Sequence, residues 1–185
     1  GSGVQHTEMF PLLHTDRPNP LQLFQIWLNL PARHKMEPAH FTMYWNEQIP
    51  RLQQVDAAGA ATTVTVVAGA LPGADAPLPP PPASWAAQAD SDVAVWIIEL
   101  APGARWTLPR ARGADTQRML YWFAGSQLTL AQDTLREHAA LYIDAQQDIV
   151  LHNTGHEPAE LVLLQGRPIA EPVARYGPFV MNTQD

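Results

Sequence analysis

Between residues 60 and 168 the sequence breaks into short β-prone runs, most of them closed by Gly, Asp, Asn or Pro. This spacing restricts the fold more than any other feature of the chain. The runs are Thr62–Ala68, Asp92–Leu100, Arg105–Leu108, Arg118–Phe123, Gln127–Leu130, Ala139–Ile143, Ile149–Leu151 and Ala159–Leu164. The second ends in Ala101-Pro102-Gly103, a strong turn signal. Many short strands at near-regular intervals predict an all-β sandwich or barrel, with the jelly roll among the leading forms. Pro77 to Pro82 cannot enter a central strand and is read as a surface loop of polyproline character. Service as a ligand for a signalling domain is the subordinate reading of that stretch.

Residues before this region have a different texture. A short strand is expected around His6, then a Pro-punctuated loop from Pro11 to Pro20, then a strand from Leu21 to Leu30 stopped by Pro31. In that strand Phe24, Ile26, Leu28 and Leu30 share one face, read as a core face. Leu23, Gln25, Trp27 and Asn29 share the other, and Gln25, Trp27 and Asn29 carry amide and indole groups suited to lining a pocket. Residues 39–48 are expected to form a short helix with Phe41, Tyr44 and Trp45 on one side. The last stretch, 169–185, reads as an irregular tail, too apolar at Tyr176, Phe179, Val180 and Met181 to be left in water. Gly1-Ser2-Gly3 is read as a native turn into His6, because Gly accepts a positive φ, with a cloning remnant as the other reading.

Charge narrows the partners. With 18 acidic against 11 basic residues the formal charge is −7, which argues against direct nucleic-acid binding. No apolar run reaches the roughly 20 residues of a membrane span, and no signal-peptide pattern opens the chain. The absence of cysteine excludes disulfides and thiolate metal sites, and a cytoplasmic location fits.

The chemistry candidates are few. On an extended segment, residues two apart share a face, so His6 and Glu8 could bring an imidazole and a carboxylate to one spot. That is half of a metal site or, equally, a hydrogen-bonded surface pair; no second His-x-His or His-x-Glu follows downstream. A zinc deaminase would need a Cys-x-x-Cys, and a metalloprotease a His-Glu-x-x-His, and both are absent. His152 and His156 flank Asn153-Thr154-Gly155 and are read as solvated turn histidines. His14, His34, His40 and His138 are read as ordinary surface residues, and the serines lack a nucleophile-elbow context. The tryptophans are read as core and pocket lining.

Several stretches resemble one known family. Gly3-Val-Gln-His6-Thr-Glu8-Met9, Leu23-Phe-Gln-Ile-Trp-Leu-Asn-Leu-Pro31, Glu171-Pro-Val and Tyr176-Gly-Pro-Phe-Val-Met-Asn-Thr183 occur in the order found in pirins, members of the cupin superfamily with two jelly rolls per chain. The resemblance implies a bicupin whose first jelly roll is incomplete in this chain, which would begin inside the second cupin motif at Gly3-x-x-His6. It divides the chain into 1–55, a remnant of the metal-type cupin with its connecting segment; 56–168, a C-terminal cupin; and 169–185, a tail folding back on the N-terminal domain. It implies one Fe(2+), or another divalent metal, held by three histidines and a glutamate. His6 and Glu8 match two of those ligands, with Glu8 also the catalytic base. In the C-terminal cupin, the Gly-x₅-His-x-His pattern counted from Gly103 places ligands at 109 and 111, where Pro109 and Ala111 stand, so this domain is expected to be metal-free. The implied activity is that of a quercetin 2,3-dioxygenase acting on a flavonol-like substrate with O2, Glu8 taking the hydroxyl proton. The alternative is a redox-sensing iron protein that regulates a protein partner, as a transcription cofactor or enzyme modulator. The chain alone is expected to bind iron poorly and to be inactive.

Overall fold

The computed structural model describes residue 3 and residues 5–184. Its strands, in chain order, are β1 (Arg51–Val55), β2 (Ala61–Ala68), β3 (Ala94–Leu100), β4 (Arg105–Leu108), β5 (Gln117–Ala124) and β6 (Leu128–Leu130). They continue with β7 (Asp133–Leu135), β8 (Ala139–Ile143), β9 (Ile149–Asn153), β10 (Ala159–Gly166), β11 (Ala174–Tyr176) and β12 (Phe179–Met181). One sheet has the order β1-β2-β3-β10-β5-β8, and a second β4-β9-β6-β7; β11 and β12 pair separately. All pairings are antiparallel. From β3 to β10 the chain passes back and forth between the two sheets, apart from the β6–β7 hairpin within the smaller one, the connectivity of a jelly roll. No helix among the described residues is long and apolar enough to cross a membrane.

Alternation along the strands creates the interior. Val64 and Val66 of β2, Trp96, Ile98 and Leu100 of β3, Leu120 and Trp122 of β5, and Leu161 and Leu163 of β10 face inward from the larger sheet. Trp106 and Leu108 of β4, Leu128 of β6, and Ile149 and Leu151 of β9 close on them from the smaller one. Burial of this apolar face drives the closure. The three interior indoles satisfy their N–H groups at the rim: Trp96 Nε1 donates to the Gly69 carbonyl, Trp106 Nε1 to Gln54 Oε1 and Trp122 Nε1 to the Ala124 carbonyl. Gly69 turns out of β2 at φ +76°, where a Cβ would collide with the Val93 carbonyl and Ala94. The buried Asn153 ends β9 by donating from Nδ2 to the carbonyls of Leu100 and Glu157 and accepting from the Gly155 amide. It thereby ties the two sheets at one corner.

Each of the eight runs read from the sequence overlaps a strand, and Arg105–Leu108 and Ala139–Ile143 agree residue for residue. The others differ at their ends. Two strands of the barrel, β1 and β7, escape the periodicity: β1 carries two glutamines and an arginine, and β7 is three residues in a polar hairpin.

Leu21–Leu30 is extended but pairs with no strand, and Phe24, Ile26 and Leu28, read as a core face, are exposed. A strand exists only where a neighbour takes its backbone hydrogen bonds, and no described strand lies beside this one. It touches the barrel through Phe24, edge-on to Phe123 at 4.9 Å between ring centroids, and through Gln22, whose amide donates to Glu160. The segment around His6 is likewise unpaired. Residues 39–48 form no helix; only the turn closed by the Gln48 amide on the Trp45 carbonyl is present. Aromatic residues and a threonine are weak helix formers there, and the Tyr44 hydroxyl bonds instead to the Pro79 carbonyl. The tail is not irregular: Tyr176 and Phe179 pair across Gly177-Pro178, with Gly177 at φ +53°. Glu171 joins it to the N-terminal part, accepting from the Ala32 amide at 2.6 Å.

Candidate metal centre

His6 and Glu8 lie on the extended N-terminal segment, and their side chains meet: His6 Nδ1 is 3.0 Å from Glu8 Oε1. Both are about half exposed, at 56% and 52% of their side-chain surface. Alternation of an extended backbone explains the meeting, since residues two apart lean to the same side. The pair offers one imidazole nitrogen and two carboxylate oxygens, the donor types that suit a non-haem divalent iron or a related ion. Kind and proximity fit such a metal; number does not, because among the described residues no three His, Cys, Asp or Glu side chains gather at a site.

The remaining sequence-read residues separate. Trp27 and Asn29 help line a shallow groove of about 330 Å³ against the outer side of the six-stranded sheet, with Trp85, Met119 and Tyr142; Gln25 is not part of its wall. Asn29 also accepts from Lys35 Nζ at 2.7 Å, and this buried lysine donates again to the Leu30 carbonyl. His152 is not a turn residue. It lies on β9, half-buried, and burial together with Arg105 lowers its pKa. His156 Nδ1 lies 3.3 Å from the Ser126 hydroxyl. His138 bonds to the Gly125 carbonyl and stands edge-on to Trp122.

In the C-terminal barrel, Pro109 and Ala111 occupy the expected ligand positions, and Trp96, Trp106, Trp122 and the surrounding leucines form a continuous apolar interior. Sequence reading missed a polar cluster at the end of this barrel. Asp92, at φ +49°, accepts from the amides of Arg112 and Gly113 and from the Thr116 hydroxyl, and its other oxygen meets Arg112 Nε. Burial pushes the Asp92 carboxyl up, but the Gly113 amide, the Thr116 hydroxyl and Arg112 together hold it below its ordinary value of 3.8. A lowered folded pKa stabilises the fold fully above about pH 3.8 and progressively less as pH falls through the folded value. Asp92→Asn, which tolerates the same left-handed backbone, is therefore expected to cost about 1–3 kcal/mol at pH 7. In acid the difference from the parent should shrink; parallel urea titrations at pH 7 and pH 3 check this, and a pH-independent gap would contradict it.

Two antiparallel sheets closed around one apolar interior in this order define a cupin jelly roll. Residues 95–185 match the pirin C-terminal cupin domain. Over 99% of its length the chain is 32% identical to a Vibrio cholerae protein named "Putative quercetin 2,3-dioxygenase", and over its whole length 25% identical to human pirin. It spans 59% and 58% of those two proteins. A crystal structure of quercetin 2,3-dioxygenase from Acinetobacter baumannii superposes with a TM-score of 0.66 at 26% identity, covering 85% of this chain and 50% of that one. The chain belongs to the pirin family.

Proposed function

We propose that His6 and Glu8 are two of the ligands of an iron(II) centre in a cytoplasmic pirin, and that the protein is a dioxygenase of the quercetin 2,3-dioxygenase type acting on flavonol-like substrates. The observation that carries the reading is the 3.0 Å approach of His6 to Glu8 in a chain 32% identical to a relative bearing that name. When bound, the metal supplies open positions for oxygen chemistry. The residues of this chain do the rest. His6 would offer the metal an imidazole nitrogen, and Glu8 a carboxylate that could also accept a proton from a phenolic hydroxyl.

On this reading residues 1–55 belong to the metal-bearing half, 56–168 form the metal-free barrel, and the 169–185 tail fastens the two through the Glu171–Ala32 contact. A two-donor site binds metal weakly, so this chain alone is expected to load little iron and to turn over no flavonol. Iron content and flavonol-dependent oxygen uptake should be measured on this chain and on a fusion carrying the part of the Vibrio cholerae relative that this chain does not span. Iron and uptake only in the fusion support the proposal. Iron without uptake favours the redox-sensing reading with a protein partner, and a folded fusion without iron overturns the site.

A further inference from the structure

The short turn Ala32–His34, which follows Pro31, holds more of the molecule than its length suggests. The Ala32 amide donates to Glu171 Oε2 at 2.6 Å and so reaches the tail. Arg33 Nη2 donates to Gln88 Oε1 at 3.3 Å, and His34 Nδ1 to the Ala83 carbonyl at 3.0 Å. The next residue, Lys35, is 6% exposed, and its Nζ donates to Asn29 Oδ1 and to the Leu30 carbonyl, both at 2.7 Å. Ala32, Arg33, His34 and Lys35 thus grip the tail, the loop 83–88 and the end of the extended stretch Leu21–Leu30. Where strand pairing is absent, bonds of this kind are what place a segment.

Two of these segments are walls of the groove on the outer side of the six-stranded sheet. Trp27 and Asn29 stand on one, and Trp85 on the other. Ala83 and Gln88 bracket Trp85, and the turn between them is closed by the Ala87 amide on the Ser84 carbonyl and the Gln88 amide on the Trp85 carbonyl. The Trp85 indole donates to the Arg167 carbonyl at 2.8 Å, and Arg167, Pro168 and Ile169 carry the lining on toward Glu171. The tail itself is fastened by one carboxylate oxygen. Glu171 Oε2 takes Asn182 Nδ2 at 3.1 Å besides the Ala32 amide, and Asn182 Nδ2 donates also to the Pro172 carbonyl. Glu171 and Asn182 therefore close the base of the β11–β12 hairpin onto the turn.

We propose that residues 32–35 are a junction coupling the tail hairpin to the groove. With the hairpin clasped by Glu171, the turn holds the Trp27 and Trp85 walls at one spacing, and release of the clasp loosens both. The coupling runs through a contiguous set of hydrogen bonds, from Glu171 to Ala32 and from His34 and Arg33 to the loop that carries Trp85. Glu171 is here a positioning residue, acting on the groove through the turn. Neither iron nor flavonol enters this coupling, and it stands whether or not the dioxygenase reading does.

Hydrogen exchange and fluorine NMR of this chain labelled with 5-fluorotryptophan test it. In Glu171→Ala the amides of Ala87 and Gln88 are expected to exchange at least about fivefold faster than in the parent. The Trp27 and Trp85 resonances should shift or broaden, while those of Trp96, Trp106 and Trp122 stay in place. Glu171→Gln, whose side chain still presents an acceptor oxygen to the Ala32 amide, should recover most of the protection. Coupling is reciprocal, so His34→Ala, which cuts the junction at its far end, should speed exchange in β11 and β12. That variant leaves the clasp itself intact and decides the matter should Glu171→Ala fail to fold. A freed hairpin in Glu171→Ala with Ala87, Gln88, Trp27 and Trp85 unmoved, or a folded His34→Ala with an unmoved hairpin, would overturn the proposal.

Discussion

Trp122→Ala is expected to destabilise the barrel by about 3–5 kcal/mol, a large share of the total stability of a domain of this kind. The indole is 2% exposed, lies in the continuous apolar interior, donates from Nε1 to the Ala124 carbonyl and stands edge-on to His138. Its removal leaves a void that a closed barrel cannot collapse around, because both walls are fixed by strand pairing. Equilibrium urea unfolding gives the value. A loss under about 1 kcal/mol would mean that the interior repacks easily, and that the barrel is less rigidly filled than its contacts imply.

The second large effect concerns the metal. In the fusion described above, Glu8→Ala is expected to lower iron affinity by roughly 100-fold or more, beyond what loss of a residue supporting a ligand usually costs. Flavonol-dependent oxygen uptake should vanish with it. Glu8→Gln separates the two roles of the carboxylate. The amide still presents an oxygen but accepts a proton poorly, so iron retained without uptake would identify Glu8 as the base. Thr134→Ala, on the polar β6–β7 hairpin, serves as the surface control. Full iron loading in folded Glu8→Ala would remove Glu8 from the ligand set.

The polar cluster at the barrel end shows where sequence reading stops. Arg118 was legible as the first residue of an expected strand, and its parity with Leu120 and Trp122 was open to notice. Nothing in its neighbourhood announces that a guanidinium should sit on the inward side. Its Nε donates to Gln165, 47 positions away in the chain, and Gln165 in turn donates to the Asp92 carbonyl. Long-range hydrogen bonding of this kind has no local period. The Leu21–Leu30 segment failed in the opposite direction. Its alternation is real and the backbone is extended, yet pattern alone cannot supply the neighbouring strand that would make it part of a sheet.

Sequence by itself determined the β class, most of the barrel strands and the inward-facing set, because burial on a two-residue period writes each strand into its own residues. It also determined the His6–Glu8 pairing, a consequence of backbone alternation over three residues. Only the tertiary structure decided the strand order, the hairpin nature of the tail, the three indoles filling the C-terminal barrel and the enclosure of Arg118. These depend on contacts between residues far apart in the chain, whose free energy exists only once the two sheets have closed and water has left the space between them.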